Sequence, residues 1–318
     1  MKTAENVNTQ YPTTLDDPRH ELRKAFRTFE DRYLDLTEDT MDKKVVYLFR
    51  FFDHIGVDEK PDALGRLTRE SILVFLTQYA SGHGPGSQRW MRYSLRSFLK
   101  FAGLNGLTSI SLWQWVPIIY TPRLGKVPFC LSEKNIDLVL ATVDQAHPFG
   151  IRDYTIILIL ATYGVRQIQV RQLKLEEVDW AGSQILFRAV KGGRTVHDPL
   201  TTGVGNSLVA YLQNARPKTK VPELFLNNRG GPLNPGQIAY IVRKHLKNAG
   251  IERPEGVYGV GSHQFRHAFA TRMLDREVPF KNISDLLGHR NLNSTFIYTK
   301  VDHRNLRKAC LEWPGVIA

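Results

Sequence analysis

Several short segments of this sequence combine residue types suited to phosphate chemistry. Ser262-His263-Gln264-Phe265-Arg266-His267 spaces His263, Arg266 and His267 by three and four residues, so on a helix they share one face near its first turn. Oriented amides and the helix dipole favour an anion there. Leu287-Gly288-His289 follows, and Tyr298-Thr299 comes nine residues after that histidine. Upstream, Gly164-Val165-Arg166 ends an apolar run. Two guanidiniums, Arg166 and Arg266, can each present paired donors to the non-bridging oxygens of a phosphodiester. Donors fixed in advance stabilise a phosphorane-like transition state more than the ground state. A tyrosine oxygen attacking within such a clamp keeps the energy of the broken bond in a phosphotyrosine, so neither ATP nor a metal is needed.

Each of these residues also has a structural alternative. Arg166 could cap a helix or pair with Glu176 or Glu177. Tyr298 taken alone is an ordinary half-buried aromatic. His267 reads as a packed or hydrogen-bonded support.

The elements that must position them are mostly helical. Ser132 is expected to cap a helix running to Val143, and Asp153 to Tyr163 reads as a buried helix. A strand-rich insert follows, Gln184 to Val190 and Thr195 to Leu200, around the hairpin turn Lys191-Gly192-Gly193-Arg194. Asn234-Pro235 and Ser262 are expected helix starts, and Gly288 closes a segment Asn282 to Leu287. The fold class expected is mainly α with a small β-sheet insert.

At 318 residues the chain exceeds the length at which one hydrophobic core usually stops growing, so two domains are expected. Residues 1–20 read as a flexible polar arm, 21–104 as a helical domain, 105–130 as a connector partly docked through Trp113 and Trp115, 131–300 as the site-bearing domain, and 301–318 as a tail. In the helical domain Val45, Leu48, Phe49 and Phe52, then Ile72, Phe75, Leu76 and Tyr79, recur at helical spacing, with Thr68 capping the second block. Arg89, Arg92, Arg96 and Lys100 line one face of a further helix. Such a stripe is a solvated surface or a seat for DNA phosphates.

Lys and Arg number 43 against 31 Asp and Glu, a formal charge of +12 with a pI near 9.7, which makes nucleic acid the first partner to consider. Cys130 and Cys310 lack metal-type spacing and read as packing residues of a reducing compartment. With no long apolar run and a polar start, a cytoplasmic, nucleoid-associated protein without a membrane partner is expected.

In their order, Arg166, Lys191, His263-x-x-Arg266, Leu287-Gly288-His289 and Tyr298 resemble the catalytic domain of the tyrosine recombinases, the phage integrase family. The likeness runs from about 131 to 299, and the preceding helical half is similar to the family's core-binding, SAM-like domain. The resemblance implies strand cleavage and rejoining through a 3′-phosphotyrosine on Tyr298, for integration, excision, transposition or resolution. It implies a phosphate clamp of Arg166 and Arg266. His263 takes the phenol proton or bonds the phosphate, His289 donates to a phosphoryl oxygen, and Lys191, carried into the minor groove, protonates the 5′ oxygen. Lys191 shares its turn with Arg194, and a hairpin lysine is also commonly just solvated. No cofactor or metal is implied. The partners implied are double-stranded DNA, a homotetramer on two DNA sites, and accessory DNA-bending proteins, with the tail docking on a neighbouring subunit or on its own domain.

One position departs from the pattern. Where the family commonly has an acid three residues after the first arginine, this chain has Gln169, which puts the proton affinities of the neighbouring groups in question. Rival readings are a type IB topoisomerase, a DNA-binding protein of the same fold without cleavage, and a metal hydrolase on His263, His267 and His289 with Asp285.

Overall fold

The first helix, α1 (Pro18–Leu34), starts on a proline, whose missing N–H is no loss in a first turn; the regular chain thus begins ahead of Glu21. The helices α2 (Glu38–Ile55), α3 (Arg69–Gly82) and α4 (Pro85–Leu104) follow. Thr68 caps α3, its hydroxyl accepting from the Ser71 amide at 3.2 Å while Ser71 Oγ accepts from the Thr68 amide at 3.0 Å. The apolar faces close on an aromatic core in which Phe52 and Phe98 stand edge to face at 5.0 Å and Phe51 and Phe75 at 5.1 Å. Inside it Lys44 donates to Glu30, both fully buried, so the pair carries no uncompensated charge.

The connector contributes to this core. A 3-10 turn at Leu112–Trp115 buries Leu112, and Val116 after it is fully buried among the same residues. The Arg96 guanidinium lies 4.9 Å over Trp113 and donates to the Val116 carbonyl at 2.9 Å, while Arg69 lies 4.1 Å over Trp115.

This computed structural model describes residues 18–34, 36, 38–57, 62–119, 130–190, 193–252, 261–291 and 295. The chain divides into two compact units, Met1–Pro122 and Arg123–Ala318. The arm 1–17, Lys191, Gly192, Tyr298, Cys310 and the tail 301–318 lie outside the described residues.

The second unit is built around α6 (Pro148–Tyr163). Ile156, Ile157, Ile159 and Leu160 are fully buried on several of its sides, so its sequence is a continuous apolar run without amphipathic period. Before it comes α5 (Glu133–Ala141), capped by Ser132 Oγ accepting from the Asn135 amide at 3.2 Å. Around α6 pack α7 (Gln167–Arg171), α8 (Thr202–Asn214), α9 (Gln237–Asn248) and α10 (His263–Asp275), with α11 (Phe280–Leu286) held on α10 by Phe269, Ile283 and Leu287. The cap of α9 is Gly236 at φ +86°, just past the expected Asn234-Pro235.

A small antiparallel sheet, β1 (Val178–Asp179), β2 (Gln184–Phe187) and β3 (Val196–Pro199), lies in the order β1-β2-β3, with Phe187 opposite Val196. The strands are shorter than expected, β2 ending at Phe187 and β3 beginning at Val196. The cause is local: the Arg188 carbonyl bonds to the side chain of Gln169 and the Ala189 amide to Thr195 Oγ1, so neither joins the ladder.

Candidate active site

Helix α6 stops because Gly164 turns left-handed at φ +61°. A Cβ there would meet the Phe269 ring of α10 at 2.8 Å, so glycine also permits the close approach of the two helices. That approach brings the Gly164 carbonyl to Arg266, whose Nη1 donates to it at 2.9 Å. Two residues on, Arg166 opens α7, so the same turn delivers both arginines to one place.

Arg266 is 4% exposed. Its Nη2 donates to the Leu287 carbonyl at 2.7 Å and meets His289 Nε2 at 2.7 Å. A guanidinium has only donors, so His289 Nε2 must accept, which leaves the ring hydrogen on Nδ1, 2.7 Å from Thr295 Oγ1. The ring is therefore neutral. Its pKa, pushed down to about 4 by burial and then by Arg266 and Arg166, agrees with this. His267 is also pushed down to about 4, by burial, then by His263 and Arg266.

His263, the first residue of α10, has its pKa lowered by the protein packed around it, then by Arg266 and Arg166. Its side chain is nevertheless exposed, which makes the two guanidiniums the firmer cause. Arg166 Nη1 lies 3.4 Å from where a Cβ on Gly193 would stand, itself 3.0 Å from the Gly288 carbonyl next to His289, and the charge of Arg166 accordingly lowers the pKa of His263 and His289. Arg166, His263, Arg266 and His289 are thus brought together, with His267 close enough to His263 and Arg266 to feel both. Ser262 does not cap α10; its hydroxyl donates to Gln167 Oε1 at 3.2 Å and ties the starts of α10 and α7 together.

The lysine hairpin reaches this group through residues next to its tip. A Cβ on Gly193 would lie 3.4 Å from Arg166 Nη1 and 3.0 Å from the Gly288 carbonyl, and the Arg194 amide donates to that carbonyl at 3.2 Å. Arg194 pairs with Asp285 at 3.4 Å. Glu176 and Glu177, the alternative partners for Arg166, are held instead by Arg188.

The fit of Gln169 was not visible from sequence. It is 5% exposed; its Oε1 accepts from the Arg166 amide at 3.0 Å and its Nε2 donates to the Arg188 carbonyl at 3.0 Å. Thr295, which fixes the His289 ring, was also missed, because a lone threonine six residues after a histidine belongs to no motif. Both nitrogens of His289 are engaged, Nε2 by Arg266 and Nδ1 by Thr295. Among the described residues no cluster of His, Cys, Asp or Glu is arranged to hold a metal ion.

The basic stripe of α4 divides. Arg89 and Lys100 are exposed. Arg92 is half-buried, its Nη1 donating back to the Gln88 carbonyl at 3.2 Å, and Arg96 serves Trp113 and Val116.

The model of the phage integrase family matches residues 130–305. This chain belongs to the phage integrase family. Among relatives of this integrase, tyrosine recombinase XerA of Pyrococcus horikoshii is 29% identical over 284 residues, spanning 87% of this chain and 89% of that protein. Tyrosine recombinase XerC of Bacillus licheniformis is 32% identical over 253 residues, 76% and 79% of the two chains. The integrase/recombinase y4rA of Sinorhizobium fredii is 33% identical over 256 residues, 80% of this chain but only 61% of that longer protein.

Two solved structures share the fold. XerH recombinase bound to difH substrate has a TM-score of 0.67 at 19% identity, covering 92% of this chain and 83% of that one. A lambda integrase dimer bound to a COC' core site has a TM-score of 0.63 at 14% identity, with 88% and 94% covered. The integrase is thus a tyrosine recombinase, an enzyme class that breaks and rejoins DNA, and neither a topoisomerase-like nor a silent DNA-binding reading is favoured. Among its described residues no helix is long and apolar enough to cross a membrane.

Proposed function

We propose that this recombinase cleaves and reseals duplex DNA at a specific site with Tyr298 as the nucleophile. The observation that carries the reading is the gathering of Arg166, Arg266, His263 and His289 at the first turn of α10. The Tyr298 oxygen attacks the scissile phosphorus, the P–O5′ bond breaks, and a 3′-phosphotyrosine forms. The two guanidiniums take up the charge growing on the non-bridging oxygens. His263, kept uncharged near neutral pH by its lowered pKa, accepts the phenol proton, and Lys191 gives a proton to the departing 5′ oxygen. Resealing is the reverse.

For His289 to donate to the phosphate, its hydrogen must move from Nδ1 to Nε2. The Thr295 hydroxyl, able to accept or donate, serves either tautomer, while Arg266 Nη2, which can only donate, must release Nε2 when the hydrogen moves there. Lambda integrase is known as a tetramer bound to a Holliday junction; by analogy four copies of this chain act on two duplexes, with Arg89 and Lys100 of the first unit on the phosphates.

The test is covalent capture. Nicked duplexes carrying a randomised stretch are incubated with the protein, and adducts that survive denaturant are recovered and sequenced. A shared sequence in adducts that vanish in Tyr298→Phe is expected; adducts that persist in that variant would remove Tyr298 as nucleophile.

A further inference from the structure

We propose that Gln169 is a positioning residue that holds the main chain at Arg166 and the root of the Lys191 hairpin in one register, and that its neutral amide is needed for this. Lys191 enters here in the role proposed above, as donor of the proton to the 5′ oxygen, and the coupling rests on that role.

The partners fix the orientation of the amide. The Arg166 N–H can only donate and so faces Oε1; the Arg188 carbonyl can only accept and so faces Nε2. Gln169 therefore uses its acceptor on the residue that carries a clamp guanidinium and its donor on the residue just after β2, at the root of the hairpin connection. Arg188 lies three residues before Lys191. The loop is pinned again by Ala189 to Thr195 and by Arg194 to Gly288, so a shift at Arg188 passes along a short, braced segment to the lysine.

At neutral pH a carboxylate at position 169 could accept from the Arg166 amide but could not donate to Arg188. It would set an anion against a carbonyl oxygen in a site shut off from water, where the repulsion is poorly screened. Only a protonated carboxyl would restore the second bond. Gln169 is thus fitted to a hairpin root that presents a carbonyl.

The test compares two leaving groups on the duplex recovered by covalent capture. One has the natural 5′ oxygen; the other has sulfur at the bridging position. With sulfur, the Tyr298 oxygen bonds to phosphorus, the P–S bond breaks, and a thiolate leaves with the electron pair, needing no proton. Gln169→Glu and Gln169→Ala are expected to slow adduct formation on the oxygen substrate roughly tenfold to a hundredfold, the scale of a misplaced catalytic group. On the sulfur substrate both should come within about threefold of the wild type. Gln169→Glu should also regain activity relative to the wild type as the pH is lowered and its carboxyl takes up a proton, a change that general loss of structure would not produce. The oxygen-to-sulfur ratio is taken within one preparation, so a smaller folded fraction cancels.

Lys191→Ala separates the two levels. If sulfur fails to rescue it, the role of the lysine falls, and the coupling with it. If sulfur rescues Lys191→Ala but leaves the Gln169 variants equally slow on both substrates, or if those variants match the wild type on oxygen, the coupling of Gln169 to the hairpin is overturned and the role of the lysine stands.

Discussion

The buried histidines make the stability of the site-bearing unit depend on pH. His267 and His289 have folded pKa values lowered from 6.5 to about 4, so between these values the unfolded chain binds protons that the folded one refuses. Their contribution is complete above pH 6.5 and is lost as the pH falls toward about 4. For His289, 7% exposed, that is on the order of 2–4 kcal/mol. The thermal midpoint should drop steeply over that window in differential scanning fluorimetry, and His289→Gln should flatten the drop. A midpoint indifferent to pH there would contradict a neutral ring held against Arg266. That His263 and Arg266 share one helical face was legible from their spacing, whereas Arg166 and His289 could be joined to them only through the resemblance to a known family. Gln169 was legible only as a departure, since its value lies in matching an acceptor and a donor presented by two separate segments.

At the scale of the elements, the sequence marked α4 as a uniformly basic face, and the structure splits it by neighbour. Arg96 is bound to the docked connector through Trp113 and Val116, contacts that periodicity along one helix cannot foresee. Arg89 and Lys100 remain at the surface. Replacing both with alanine should weaken DNA binding and lower the slope of log affinity against log salt by roughly 2, about 0.9 for each phosphate no longer neutralised, with the midpoint of unfolding unchanged. Arg96→Ala should instead cost about 1–3 kcal/mol of stability in the first unit by stranding the buried Val116 carbonyl. Fluorescence anisotropy across a salt series and denaturant titration distinguish the two; an Arg96→Ala protein of normal stability and reduced salt slope would return that residue to the interface. The hairpin shows the same limit of local reading. Its position was evident from two apolar runs around Gly192-Gly193, yet its strands end early because Gln169 and Thr195 draw away the backbone groups that would have extended the ladder.

At the scale of the whole molecule, size and composition called for two cores, and each unit has its own large cluster of buried residues, with a smaller third one between α10 and α11 in the second unit. The docking of connector residues into the first of them was signalled by Trp113 and Trp115, too apolar for a tether. Among the described residues Val116 is the last buried apolar one of the first unit and Leu131 the first of the second. Extra chain inserted between them leaves both cores intact and adds mainly closure entropy, about 0.6 kcal/mol for each doubling of length. A hybrid carrying Met1–Pro122 from a relative with another target, joined to Arg123–Ala318 of this chain, should still form Tyr298 adducts, now on altered sequences. Retargeting would then need no change at the scissile phosphate: address and scissors could be inherited from different parents.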